Sequence, residues 1–211
     1  MPTRRIRRLR RAELPVDTIE LARYLIGKTL VHDFPDGPDG SLAIRMSGRI
    51  VETEAYVVGD AAAHAFRGQT PRNRSLFLRR GHAYVYFAYG SSWMLNVSSE
   101  TPGIGAGVLL RAIEPLEGIA TMQHHRGTTR LLDLARGPGR LAAALQIDWR
   151  YDGVDLCARG PLWLGAAVKP GGAIGESVRI GITREVDRLL RFFERDNPFV
   201  SGPRRLNLSD D

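Results

Sequence analysis

The sequence predicts an α+β fold in one domain, built around a mainly antiparallel β-sheet. Three observations carry this. The 211 residues are enough to bury one substantial core and too few for two comfortable ones. Strand-like segments come as adjacent hairpins and are not separated regularly by helices, which argues against a parallel sheet. A composition of 43% hydrophobic and 25% charged residues, with no apolar run of bilayer length, is that of an ordinary globular chain.

The elements follow in order. "PVDTIELARYLIGKTLV" reads as a helix: Asp17 or Thr18 is the N-cap, Glu20 lies in the first turn, Leu21, Leu25 and Ile26 fall at helical spacing, and Gly27 is the stop. "TLVHDF", the turn "PDGPDG" and "SLAIRMSGRIVETEAY" make a hairpin with a long second strand. "QTPRNRSLFLRRG" predicts a short basic helix with Thr70 capping, Pro71 at its first position and Gly81 at its end. "AYVYFAYGSSWMLNVSS" is a strand, a tight turn at Gly90-Ser91-Ser92 and a returning strand, and "GVLLRAIEPL" is a further strand. "LEGIATMQHH" and "GPGRLAAALQI" read as helices, and the last third reverts to short strands. The expected organisation is a basic N-terminal arm over residues 1–14, flexible and unlike a secretory signal, followed by a single domain over 15–211.

Charge narrows the class of partner. The net charge is +7, and all basic residues but Lys28 and Lys169 are arginine, whose planar fork of donors matches phosphate. A polyanion is the natural partner, and a membrane is not. Cys157 is the one cysteine, so no internal disulfide or thiolate metal site is possible and a reducing, cytoplasmic setting follows. "HHR" at 124–126 has no nearby third ligand, and no P-loop, dinucleotide fingerprint or G-x-S-x-G occurs. No metal and no cofactor are expected.

The chemistry concentrates in "VETEAYVVGDAAAH", residues 51–64. Side chains alternate along a strand, so Glu52, Glu54 and Tyr56 fall on one face and Val51, Thr53 and Ala55 on the other. Carboxylates two residues apart stand roughly 6 to 7 Å from each other, near the about 6.5 to 9.5 Å of an inverting sugar hydrolase. Such an enzyme, however, needs one protonated carboxyl to assist a poor leaving group, and this chain surrounds its acids with arginine. A cationic alkylated base leaves unaided, and one carboxylate can then stabilise an oxocarbenium-like sugar and deprotonate water. Aromatics fit the same picture: Tyr56, His64 and Tyr86 could stack on an extruded base, and Tyr89, beside a hairpin tip, could fill the space it leaves. "GPGRLAAAL" could present backbone N–H groups to a phosphate, although turns of this kind are common. Amines for strand cleavage by a Schiff base are few: Lys28, Lys169, and Pro2 if Met1 is removed, none of them in the cluster.

"GRIVETEAYVVGDAAAHAFRGQTPRNRSLF", "GHAYVYFAYGSSWMLNV" and "GVLLRAIEPLEG" together resemble the alkyladenine (3-methyladenine) DNA glycosylases of the mammalian type. The similarity runs from about Leu21 to Phe199. It implies a curved antiparallel sheet with a protruding hairpin and a monomer that excises damaged purines from double-stranded DNA: 3-methyladenine and 7-methylguanine, with hypoxanthine and ethenoadenine in question. It implies Glu54 as the water-activating base, Arg111 near the phosphates beside it, Tyr56, His64 and Tyr86 around the base, Asn96 as the residue that restricts which purines fit, and Tyr89 as the intercalating wedge. Glu52 falls to structure or tuning. Tyr56 and His64 stand one residue closer than in mammalian members, which shifts the pocket wall. A sugar hydrolase using Glu52 with Glu54 and a non-catalytic nucleic-acid-binding module are the competing readings. A Glu54 locked in a buried ion pair, out of reach of both solvent and substrate, is the observation that would overturn the scheme.

Overall fold

One long strand organises the molecule. The computed structural model describes residues 6–34 and 44–207, so the turn read at 35–40 and the first five residues of the N-terminal arm lie outside the described residues. Helix α1 (Thr18–Leu25) leads into β1 (Thr29–Phe34) and the thirteen-residue β2 (Ile44–Tyr56). The chain continues through β3 (Ala83–Ala88), β4 (Ser92–Ser98) and β5 (Gly107–Glu117), then helices α2 (Ile119–Arg126) and α3 (Pro138–Ala144), and closes with β6 (Leu162–Gly165), β7 (Ile174–Ser177) and β8 (Arg191–Glu194). All pairings among these strands are antiparallel, in the order β3-β4-β5-β2-β1-β6. β2 branches the sheet: its first half pairs with β1, and Glu52, Thr53 and Glu54 pair with β8, which in turn holds β7.

Helix α1 forms where the sequence places it. The Asp17 side chain accepts from the N–H groups of Ile19 and Glu20, satisfying two donors that the first turn leaves free. Its apolar stripe, Leu21, Ala22 and Leu25, is fully buried, each leucine contributing roughly 2 kcal/mol. Gly27 ends it at φ +82°. Helix α2 starts from Gly118 at φ +71°, where a Cβ would lie 2.6 Å from the Arg45 carbonyl, so no other residue fits. Pro138 opens α3 at its first turn.

Two expectations fail. Residues 70–81 form turns and one short 3-10 helix, Arg74–Phe77, instead of a basic α-helix. The cause is Asn73, whose Oδ1 accepts from Thr70 N and Oγ1 and whose Nδ2 donates to the carbonyls of His64 and Gly68. Thr70 is thus tied by Asn73 and caps nothing, because a side-chain amide outcompetes the helical ladder. Residues 6–14 are also no free arm: Leu9 and Leu14 are buried, and Leu9 N donates to the carbonyl of Leu164 in β6.

The more consequential correction is on β2. Ile50 pairs with Ile113 and Glu52 with Ala112, leaving Val51 without a partner on β5; Thr53 pairs with Leu110, leaving Arg111 without one on β2. Two bulges therefore face each other at the centre of the sheet. Before them Met46 and Ile50 point into the main core, and after them Ala55 does, while Thr53 Oγ1 donates to Ala22 of α1. Val51 packs with Ala112, Phe193, Phe199 and Val200 in a separate cluster, not on the face of Thr53 and Ala55 that strict alternation assigns it. The extra residue turns Glu52, Glu54 and Tyr56 out of the main core, and the opposing one does the same for Arg111.

Candidate active site

A cavity of about 570 Å³ opens on this second face. Tyr56, His64, Tyr86, Tyr89, Asn96 and Arg111 all line it, so six of the seven residues singled out in the sequence meet in one place. The seventh, Glu54, lies directly behind the wall with no solvent exposure.

Three neighbours hold the Glu54 carboxylate. Oε1 accepts the Ile180 N–H at 2.7 Å and stands 3.1 Å from Arg111 Nη1. Among the described residues Oε2 accepts only the Tyr56 hydroxyl, at 3.0 Å. Burial pushes its carboxyl above the ordinary glutamate value; the Arg111 charge and the Ile180 N–H oppose the rise, and Glu52 adds to it. The expectation of a solvent-reachable Glu54 is not met: the carboxylate is fully buried and ion-paired with Arg111, and what separates it from the cavity is the wall formed by its own holders, Tyr56, Arg111 and Ile180.

Glu52, two residues earlier, has a different environment. Its Oε1 takes both Arg111 Nε at 2.9 Å and Arg191 Nε at 2.7 Å, and its Oε2 accepts the Ser201 N–H at 2.7 Å. These arginines keep its carboxyl below the usual range despite the burial that opposes them. Glu52 lines no part of the cavity.

The aromatic wall is asymmetric. His64 and Tyr86 rings are 4.3 Å apart, and Tyr86 stacks on Tyr84 at 5.3 Å; a base cannot slide between rings this close. His64 Nδ1 bonds the Tyr84 hydroxyl at 2.8 Å, and desolvation, with the Arg72 charge adding to it, holds the imidazole below its usual pKa. Burial pushes the Tyr86 hydroxyl up to about 12. One face of Tyr56 is occupied by the Arg179 guanidinium, 4.6 Å from the ring centre. Arg179 is in turn fully buried, ion-paired with Asp60, and donates to the Ala55 carbonyl. Asn96 Nδ2 donates to the Tyr84 carbonyl at 3.2 Å, fixing the side chain in the cavity floor.

Tyr89 stands at the tip of the β3–β4 hairpin, 80% exposed, with φ +53°. With Gly90 at φ +64° both central turn positions are left-handed, as a type I′ hairpin requires, yet a tyrosine in that conformation is strained. Its hydroxyl donates to the Gly181 carbonyl at 3.2 Å. Helix α3 braces the hairpin from beneath, Gly139 lying so near Ser92 that an added Cβ would come within 2.9 Å of it, while Pro138 reaches the cavity.

Arg179, Ile180, Gly181, Arg191 and Ser201 escaped the sequence reading. They come from segments without periodicity or motif, and only the branch at β2 brings them to Glu52 and Glu54. His124 and His125 end α2, where His125 Nδ1 bonds the Ala144 carbonyl. Among the described residues no group of three or more potential metal ligands occurs, and no helix is long and apolar enough to cross a membrane.

Comparison with known proteins decides what this arrangement belongs to. A family model described as methylpurine-DNA glycosylase matches residues 12–198. The chain belongs to the methylpurine-DNA glycosylase family. A protein of Mesorhizobium japonicum provisionally named 3-methyladenine DNA glycosylase is 67% identical over 93% of this chain and 91% of its own length. Proteins with the same provisional name from Paraburkholderia phytofirmans and Chlorobaculum tepidum are 54% and 46% identical, over 94% and 87% of this chain and 90% and 86% of their own lengths. As a family member the chain is a DNA glycosylase, an enzyme of base excision repair whose substrate is DNA. Both competing readings fall: a sugar hydrolase also needs Glu52 as a partner acid, and Glu52 is sealed between two arginines.

Proposed function

We propose that the enzyme extrudes alkylated purines, chiefly 3-methyladenine and 7-methylguanine, from duplex DNA and hydrolyses their N-glycosidic bond, leaving an abasic site. The observation that carries this is an aromatic-lined cavity set directly over a single carboxylate held by Arg111, Tyr56 and Ile180. The base would lie against the free face of Tyr56, with His64 and Tyr86 as the opposite wall. A cationic base gains roughly 0.5 to 2 kcal/mol on such rings, and a neutral purine gains less. Hypoxanthine and ethenoadenine, being neutral, fall at the weaker end of the range, and the fixed Asn96 amide limits the substituents that fit.

In the proposed reaction the bond electrons leave with the base, which its positive charge already makes a good leaving group. Glu54 takes a proton from water as the water oxygen bonds to C1′, and Arg111 orients both. A carboxylate with a raised proton affinity is the stronger base. No metal or cofactor enters, because the substrate carries its own activation. Glu54 must be uncovered by about the width of a water, and the bond from Tyr89 to Gly181 ties the wedge to the segment that covers it. Insertion of Tyr89 into the duplex gives up that bond, freeing the Ile180 segment to move. Both lysines lie away from the cavity: Lys28 stacks over Tyr24 and Lys169 pairs with Glu114. Pro2 lies outside the described residues; the placement of the lysines favours hydrolysis without strand cleavage, and one chain supplies every residue invoked, so a monomer suffices.

Glu54→Gln tests the scheme. On duplex containing 7-methylguanine, with EDTA present, it should retain lesion binding and lose excision by about 100- to 10,000-fold, read as free base and alkali-labile sites. Excision at the wild-type rate would make Glu54 a structural carboxylate and overturn the assignment.

A further inference from the structure

We propose that Glu52 and Arg191, which never reach the cavity, are positioning residues that hold Arg111 so that only one arm of its guanidinium meets Glu54. The inference rests on Glu54 being the base.

The geometry is specific. Arg111 directs Nε to Glu52 and Nη1 to Glu54, and Nη2 lies 3.5 Å from Ser201 Oγ. A guanidinium left beside a lone carboxylate pairs through two parallel N–H bonds. With Nε on Glu52 and Nη2 beside Ser201 Oγ, only Nη1 is left for Glu54, so among the described residues Glu54 Oε2 keeps no partner except the Tyr56 hydroxyl and is the oxygen most easily turned to water. Glu52 cannot do this alone, since a second buried carboxylate so near Glu54 would be repelled. Arg191 supplies the balancing charge and is itself fixed by Ser177 Oγ, the carbonyls of Ser201 and Leu206, and Asn207 Oδ1. Two acids and two arginines then sit buried with no net charge. Such a network is weak evidence of stability, because apolar residues of like volume often do as well, so its placement directly against the carboxylate behind the cavity points to positioning.

The groups that face Glu54 are Arg111 from β5, Glu52 and Tyr56 from β2, Tyr86 from β3 and the Ile180 N–H, with Arg191 from β8 acting through Glu52. Removing either member of the outer pair should therefore move the titration of Glu54 in opposite senses. Loss of Glu52 withdraws a like charge and lets Arg111 close on Glu54, so the acid limb of the rate profile moves to lower pH. Loss of Arg191 leaves Glu52 uncompensated, so the limb moves to higher pH.

The experiment is single-turnover excision of 7-methylguanine from duplex across pH, for wild type, Glu52→Gln, Arg191→Gln and Glu54→Gln, with lesion binding measured in parallel. The methylated base carries a fixed charge, so an acid limb reports the protein. Glu52→Gln should lose about 100-fold in rate at near wild-type lesion binding, with the limb displaced downward, and Arg191→Gln should displace it upward. Unmoved limbs, with rates following the folded fraction, would reduce the pair to a structural tie and overturn the inference while leaving Glu54 intact. An active Glu54→Gln would instead sink the underlying assignment. Should either variant fail to fold, Glu52→Asp decides: it keeps the charge with one methylene less reach, and its excision should slow at unchanged lesion binding. A wild-type rate in Glu52→Asp would overturn the proposal.

Discussion

Glu54 is the residue at which the proposed function and stability pull apart. Burial raises the affinity of its carboxyl for a proton in the folded state, so the fold binds that proton more tightly than the unfolded chain does. Such a group contributes its stability below the ordinary carboxylate pKa and loses it as pH rises through the folded value. At neutral pH an ionised Glu54 is then a net cost, which Arg111 offsets only in part. Glu54→Gln keeps an oxygen for the Ile180 N–H and removes the charge. It should unfold at a higher temperature than wild type near neutrality, with the gap closing in acid; a lower melting temperature at neutral pH would mean that the Arg111 pair outweighs burial. At this scale the sequence was informative where chemistry is local. Glu54, Tyr56, His64, Tyr86 and Asn96 sit in motif blocks close along the chain, whereas Arg179 and Ile180 lie more than 120 positions from Glu54 in a stretch whose composition marks no partner.

Among the elements, the β3–β4 hairpin shows how a strand pair can carry an exposed aromatic tip. Tyr84 and Tyr86 face the cavity side, Phe87 pairs with Trp93 at 4.9 Å on the other, and α3 supports the strand that returns. The stiffness of this stalk allows a strained Tyr89 to be held outward, where a residue in a flexible loop would relax. If Tyr89 is the wedge proposed above, Tyr89→Ser should weaken binding to lesion-containing duplex more than binding to undamaged duplex, because a wedge acts only once a base has left the stack. Equal losses on both, measured by anisotropy, would reduce Tyr89 to a general contact. The hairpin was readable from its alternation and its glycine turn. The paired bulges at Val51 and Arg111 were not, because strict alternation describes each strand well by itself and a bulge exists only in the register between two. The helix expected over 70–81 failed for a related reason: Asn73 bonds back to Gly68 and His64, and a propensity reading of residues 70–81 does not see that far.

For the molecule as a whole, a charge of +7 understates how unevenly the arginines are used. Arg49, Arg111, Arg179 and Arg191 are buried against carboxylates and serve the fold and the site. Arg67, Arg72, Arg74 and Arg79 are exposed on the segment that Asn73 folds back beside the cavity, and none makes an ion pair among the described residues. The sequence showed the excess of charge but not this division, which depends on which arginines the sheet encloses. A basic rim around an aromatic cavity would draw duplex in without choosing a base, leaving selection to the cavity. Replacing Arg67 and Arg74 with Ser should therefore weaken damaged and undamaged duplex alike. For every phosphate that the variant no longer neutralises, the slope of log affinity against log salt should flatten by about 1, while single-turnover excision at saturating protein stays near wild type. Anisotropy titrations at several salt concentrations measure the slope, and an unchanged slope would show that phosphates are gripped elsewhere on the molecule. A loss confined to lesion duplex would instead place these arginines in base selection, contrary to their position outside the aromatic walls.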